Sequence, residues 1–283
     1  MISVICVYNN QTIFNYFIRA SLKKQTTRYE FIFLDNRQGQ YPSAARALNE
    51  GAKQASGRYL MFVHQDIRIE STHWLEKVEQ ILDQEEKIGM AGVAGSDPFY
   101  SGVVSNITHG TPPRKAGIIQ IESVCEVQTL DECLVIVPRK LFEKHFFDDE
   151  TCNGWHLYAV DLCLTLKTAG YHNIVLPLPA YHQSTGHETK RLLATILRLG
   201  WLPREYYQNL IKVLQKHQKV YPVIHTTCGT WLTTQSLYRQ RMRKTYEYTL
   251  RFLFHQVIRK AYHRLFNHKK KHRASGVNKG EQG

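Results

Sequence analysis

Three short apolar runs, each breaking off into polar residues at its C-terminal end, constrain this chain more than any other feature. Ile2–Tyr8 is followed by Asn9 and Asn10, the run 29–34 by Asp35 and Asn36, and Tyr59–Val63 by His64, Gln65 and Asp66. Helical patterns separate them. Ile13, Phe14, Phe17, Ile18 and Leu22 form an apolar stripe within 11–25. Ser43 is placed to cap a helix over 44–55, with Gly57 beyond its end. A further helical stretch covers 72–84. Strands separated by helices of this length predict an α/β fold, with a parallel sheet and right-handed crossovers. The continuous run Phe31-Ile32-Phe33-Leu34 predicts a strand buried on both faces.

Beyond the third unit the pattern loosens. Val93-Ala94-Gly95 reads as a fourth strand, and 96–120, rich in Gly, Pro, Ser and Thr, as a long loop or ribbon. A strand over 133–137 ends at Pro138, a helix over 160–169 closes at Gly170, and a strand over 171–176 stops at Pro177 and Pro179. From 188 the character changes. Leu250, Leu253, Phe254, Val257, Ile258, Ala261, Tyr262 and Leu265 recur at helical spacing, while Arg251, Arg259, Lys260 and Arg264 take the other faces. That is a basic amphipathic helix. Three parts are therefore expected: an α/β domain over 1–187, a basic helical extension over 188–266, and a disordered basic tail over 267–283.

Charge divides along the same line. Residues 1–190 carry 18 Lys+Arg against 21 Asp+Glu, a net of −3, whereas 191–283 carry 19 against 3, a net of +16. The excess concerns what the C-terminal part touches, not the chemistry of the first domain. No run of eighteen apolar residues suggests a membrane span, and the N-terminus lacks the basic region of a signal peptide. A cytoplasmic protein, peripheral at the inner face of the membrane, is expected. The six cysteines form no CxxC pair, which predicts reduced, mostly buried thiols and no zinc site.

Ligands of open α/β sheets bind beyond the carboxyl ends of the strands. Two carboxylates, several amides and an imidazole gathered at one such edge suit a nucleotide and a divalent cation. A hard ion such as Mg²⁺ or Mn²⁺ favours oxygen ligands and leaves positions for substrate phosphates.

The stretches SVICVYNN, FIFLDN and SAARALNEGAKQASGRYLMFVHQDI, followed by TLDECLVIVPRKLFE and FDDETCNGWHLYAVDLCLTLKTAGYHNIVLPLPAYHQSTG, together resemble a family 2 glycosyltransferase of the GT-A fold. The details are most similar to the StrF-type branch. The resemblance implies a nucleotide-sugar donor, UDP- or dTDP-linked, and a glycan or lipid-linked acceptor. Tyr8, Asn9 and Asp35 would hold the base and ribose. Arg46 and Asn49 would approach the nucleotide or its diphosphate, and Gln65 would lie close to the metal-bound diphosphate as a further donor-binding residue. Asp66 and His182 would hold Mn²⁺ or Mg²⁺. Asp131 and Glu132 would line the sugar pocket, and Asp161 would face the acceptor, the three being the candidates for the catalytic base.

Two departures bear on this. Ala159 stands where relatives carry an acid, and alanine takes no proton; the metal motif offers one acid, leaving His64 or His182 to compensate. Each residue also has an ordinary use: Asp35 can start a turn, Asp161 can favour a helix N-terminus, and Trp155 and His156 can be packing residues. Two further functions compete. Ala159 motivates a non-catalytic scaffold subunit, paired with itself or with a partner glycosyltransferase. The basic tail with its interleaved aromatics motivates nucleic-acid binding, although no RNA- or DNA-binding motif is visible. The expected partner of the tail is an anionic membrane surface.

Overall fold

A computed structural model of the chain describes residues 1–117, 119–183, 202–244, 246, 247 and 250. One compact unit comprises Met1–Gly186 and Pro203–Gln235. Its strands in chain order are β1 (Ile2–Tyr8), β2 (Tyr29–Asp35), β3 (Tyr59–Val63), β4 (Ile67–Ile69), β5 (Ile88–Gly92), β6 (Ala94–Ser96), β7 (Val104–Ser105), β8 (Ile107–His109) and β9 (Arg114–Lys115). They continue as β10 (Cys125–Val127), β11 (Thr129–Leu130), β12 (Leu134–Pro138), β13 (His172–Val175), β14 (Ala180–His182), β15 (Val223–Thr226) and β16 (Gly229–Leu232). The helices are α1 (11–22, with a π-helical turn over Asn15–Arg19), α2 (Ala44–Lys53), α3 (Trp74–Gln84), α4 (Arg139–Phe142), α5 (Tyr158–Thr168) and α6 (Arg204–His217).

Seven strands form the central sheet in the order β10-β13-β5-β12-β3-β1-β2. β1 runs parallel to both neighbours, with Tyr8 opposite Asp35 and Ile5 opposite Phe62. This is the α/β core that the first three apolar runs predict, and it brings their polar tips to one edge. Phe14, Ile18, Leu22, Met61, Phe62 and Trp74 are fully buried around it. Each such side chain contributes about 1.5–3 kcal/mol relative to an exposed one.

The sheet is mixed, not parallel throughout. β12 pairs antiparallel with both β3 and β5. After β5 the chain stays at the edge of the strand tips and re-enters the sheet from there, without a crossover helix to carry it back. β12 must then run in reverse. β2 closes one side of the sheet, so its apolar run is not buried on both faces and Phe33 is 52% exposed. The fourth main-sheet strand is β5, ahead of the predicted 93–95, whose residues pass into a separate sheet of order β11-β6-β7. The predicted ribbon over 96–120 supplies β7, β8 and β9, and β8 joins the sheet β4-β14-β8-β9.

Part of the predicted extension belongs to the compact unit. Within 203–235, α6 sends Lys216 and His217 to Asp161, and the β15–β16 hairpin bonds to Gln128 and Thr129. Apart from Leu250, the predicted amphipathic helix and the tail lie outside the described residues.

Candidate functional site

One side chain ties the tips of β1 and β3 together. Gln65 Oε1 accepts from the backbone N–H groups of Asn9 (3.1 Å) and Asn10 (2.9 Å), and Gln65 Nε2 donates to Asn9 Oδ1 at 2.8 Å. Asn10 Oδ1 in turn caps α1 by accepting from Thr12 and Ile13. Asn9 and Gln65 thus fix the turn that precedes the helix. Tyr8 stacks on Phe14 with ring centroids 4.4 Å apart, and the Arg37 guanidinium lies 5.9 Å from its ring centroid. Asp35 accepts from Arg37 Nε and from Arg37 Nη2, the latter at 2.6 Å. That contact holds its carboxyl well below the usual range.

Tyr8, Asn9, Gln65 and Asp66 line a cleft of about 300 Å³ together with Asn36, His64, Trp155, His156 and Tyr158. β14 pairs antiparallel with β4, setting His182 opposite Ile67, and Gln183 N–H donates to the Asp66 carbonyl at 3.0 Å. This ladder brings His182 Nε2 to 3.4 Å from Asp66 Oδ2. His64 completes a trio whose ligand atoms, one per residue, all lie within 4.8 Å of one another. Burial favours a neutral Asp66, but the His182 bond together with the charges of His182 and His64 outweighs it, and its pKa is lowered. Burial lowers His182, and Asp66 more than reverses this, leaving it raised. For His64, burial prevails and the pKa falls. Two imidazole nitrogens and one carboxylate oxygen, close together and half-buried, are a donor set that can hold a divalent metal ion and leave further positions open.

The antiparallel β3–β12 pair carries the next residues in. His64 N–H donates to the Cys133 carbonyl at 2.9 Å. Asp131 Oδ1 accepts from Cys133 N–H (3.1 Å) and Oδ2 from the Thr227 hydroxyl (2.6 Å). Burial alone would raise Asp131, and these bonds together with the charge of His182 keep it below the ordinary value. Glu132 Oε1 accepts from Leu157 N–H, and Oε2 lies 3.9 Å from His156 Nδ1. Burial, then the charge of Asp131, push Glu132 well above the usual carboxylate range. The Tyr158 hydroxyl donates to the Glu132 carbonyl (3.2 Å) and lies 3.4 Å from His64 Nε2.

Asp35, Asp131, Glu132 and His182 are not among the residues that line the cleft, Asp35 facing a separate hollow with Arg37, Gln38 and Gln40, and three further predicted site residues have other settings. Arg46 and Asn49 do not line this cleft; with Phe142 and Phe146 they line a separate cavity of about 660 Å³. α2 buries Ala44, Ala47, Leu48 and Gly51, and the 3.6-residue period carries 46 and 49 off that face. Asn49 exchanges bonds with the Phe147 backbone (2.8 and 3.2 Å). Asp161 is 3% exposed at its side chain, with Lys216 Nζ at 2.7 Å and His217 Nε2 at 2.8 Å. It joins α5 to α6. Conversely, Trp155, His156 and Tyr158 line the cleft, and Leu157 among them adopts a left-handed conformation (φ 72°). A non-glycine residue there is uncommon and marks functional sites more often than others. No residue type in the run Trp155-His156-Leu157-Tyr158 announces that turn.

A model of the glycosyltransferase-like family matches residues 3–246. Among curated proteins, the ATP synthase subunits region ORF 6 of Fuscovulum blasticum is 26% identical over 163 residues, covering 54% of this chain and 62% of that protein. The chain thus spans less than two thirds of that relative's length. Among solved structures, the mannosyltransferase PcManGT from Pyrobaculum calidifontis in complex with GDP-Man and Mn²⁺ superposes with a TM-score of 0.52 at 12% identity, over 78% of this chain and 64% of that one. S. aureus TarS 1-349 gives a TM-score of 0.45 at 16% identity, over 77% of this chain and 72% of that one. The likeness to PcManGT is one of fold, the GT-A arrangement.

Proposed function

The chain belongs to the glycosyltransferase-like family, and from that premise we propose that it moves a sugar from a nucleotide-sugar donor to a glycan or lipid-linked acceptor, inverting the anomeric centre, with a divalent cation held by His64, Asp66 and His182. The observation that carries this reading is the trio itself, closing to within 4.8 Å beside the cleft at the tips of β1 and β3. Two imidazoles favour Mn²⁺ over Mg²⁺, whose ligands are usually oxygens. PcManGT, with the same fold, was solved with GDP-Man and Mn²⁺, ligands of the class proposed here.

Bound there, the ion supplies electrostatic stabilisation to the departing diphosphate. The remaining work falls to the protein. The Tyr8 ring and the Asp35 carboxylate stand at adjoining strand tips, where a base and ribose would be held. The Gln65–Asn9 clamp keeps the intervening turn in place. Inversion requires the acceptor hydroxyl to approach the anomeric carbon opposite the diphosphate. The C-terminal part, net +16 over 191–283, suits docking on the anionic inner face of a membrane, where lipid-linked acceptors reside.

The test is a thermal-shift series. UDP or dTDP should raise the melting temperature with Mn²⁺ present and hardly at all without it, and Asp66→Ala should remove the Mn²⁺-dependent part. No shift with any nucleoside diphosphate and Mn²⁺ would overturn the proposal. Binding without turnover of any sugar donor would assign the chain to the scaffold role instead.

A further inference from the structure

We propose that His156 is the group that accepts the acceptor hydroxyl's proton, with Glu132 as the residue that positions it. The proposal rests on the transfer reading above. Transfer needs a proton acceptor on the cleft, and the carboxylates that sequence reasoning nominates are engaged. Asp161 holds Lys216 and His217 with its two oxygens, and Asp131 holds Cys133 N–H and the Thr227 hydroxyl. Neither lines the cleft, and neither does Glu132. His156 does, with its side chain 34% exposed.

Its position is fixed from three sides. The ring packs against Tyr206 with centroids 5.7 Å apart, and the His156 carbonyl accepts from Asn209 Nδ2 at 2.9 Å, both partners lying on α6. The next residue, Leu157, is held by Glu132 through its N–H. Nδ1 faces Glu132 Oε2 at 3.9 Å, longer than a hydrogen bond but of the kind that tightens when substrate binds. Nε2 is then the nitrogen left for substrate. The titratable groups around the ring are Glu132, Asp131, Glu205 and Tyr206, with His64 across the cleft. Burial keeps His156 below the ordinary imidazole value, so it is neutral and able to take a proton near neutral pH.

In the step itself, the acceptor oxygen bonds to the anomeric carbon while that carbon's bond to the diphosphate oxygen breaks. The electron pair leaves with the diphosphate, and the hydroxyl proton passes to His156 Nε2. The positive charge forms on the ring whose Nδ1 faces Glu132 Oε2, the oxygen placed to accept from Nδ1–H as the pair draws together.

Donor hydrolysis uses water as the acceptor and needs the same proton transfer, so it tests the proposal directly. The full chain with Mn²⁺ is assayed against UDP-, dTDP- and GDP-sugars. His156→Gln should lower kcat by about 10²–10⁴-fold. Donor KM and Mn²⁺-dependent stabilisation by the nucleoside diphosphate should stay unchanged. The acid limb of the pH–rate profile should vanish in that variant, and added imidazole should restore part of the rate to His156→Gly. Glu132→Gln should reduce kcat less and displace the acid limb. A His156→Gln enzyme with wild-type kcat, or with losses confined to KM or folding, overturns this assignment and leaves the transfer reading standing. A wild type that hydrolyses none of the donors fails the transfer reading and the assignment with it.

Discussion

Asp66 is the one carboxylate in the proposed metal site, and its partner His182 is raised by the contact between them. Removing the charge while keeping the shape separates the two roles. Asp66→Asn should weaken Mn²⁺ binding by at least about tenfold, since even residues that only support a metal ligand cost 10–100-fold when lost; isothermal titration measures it. His182→Gln should act in the same direction, and Mn²⁺ should bind the wild type more tightly than Mg²⁺. Gln65 offers a contrast. It makes three bonds across the β1–β3 tips, so Gln65→Leu should cost roughly 1–3 kcal/mol of stability while sparing Mn²⁺ affinity. If Gln65→Leu instead abolished metal binding at unchanged stability, the clamp described above would be wrong.

At the level of elements, the join between α5 and α6 is the clearest case of a sequence signal whose meaning depended on distant chain. An acid in the first turn of a helix has a local explanation, and a catalytic one by resemblance, but its partners Lys216 and His217 come from a helix that no local pattern places there. Asp161→Ala should therefore act on folding, costing on the order of 3 kcal/mol because it takes the carboxylate partner from the buried His217 ring and leaves the half-buried Lys216 cation with Asp148 alone, with urea denaturation as the measurement. Asp148 belongs to the same join. Burial opposes its ionisation, yet Lys216 and Thr151 hold its pKa well below the usual range. The unfolded carboxyl titrates near about 3.9, so its contribution is present above that pH and is lost progressively below it. The acid side of the stability profile should flatten in Asp148→Asn. The same logic decides what was legible. The β1, β2 and β3 runs, their helices and their polar tips follow from periodicity and end signals, because those are local. That Asp66 and His182 share one ion follows only from resemblance, and the pairing of β14 with β4 that brings them together has no signal in the sequence. The reversal of β12 and the left-handed Leu157 beside His156 were not legible, because each is set by what packs against it, whereas the helical period of α2 by itself places Arg46 and Asn49 off its buried face.

For the whole molecule, the uneven charge is the property that a single domain cannot explain. Residues 236–283 carry 13 Lys+Arg and 2 Asp+Glu, so a chain ending at Gln235 keeps a net of only +2, from 24 against 22. Each cation near an anionic bilayer is worth about 1 kcal/mol, and the effect fades within a Debye length of roughly 10 Å at 0.1 M salt. A full chain that docks this way should sediment with phosphatidylserine vesicles at low salt and be released as salt rises, while the shortened chain stays in solution and still takes up Mn²⁺. The comparison also separates the competing partners. RNA held by the full chain in the absence of vesicle binding would move the tail to nucleic acid, and vesicle binding by the shortened chain would move the docking surface onto the compact unit. The expected result leaves metal binding with residues 1–235 and surface attachment with 236–283, so that loss of one need not cost the other.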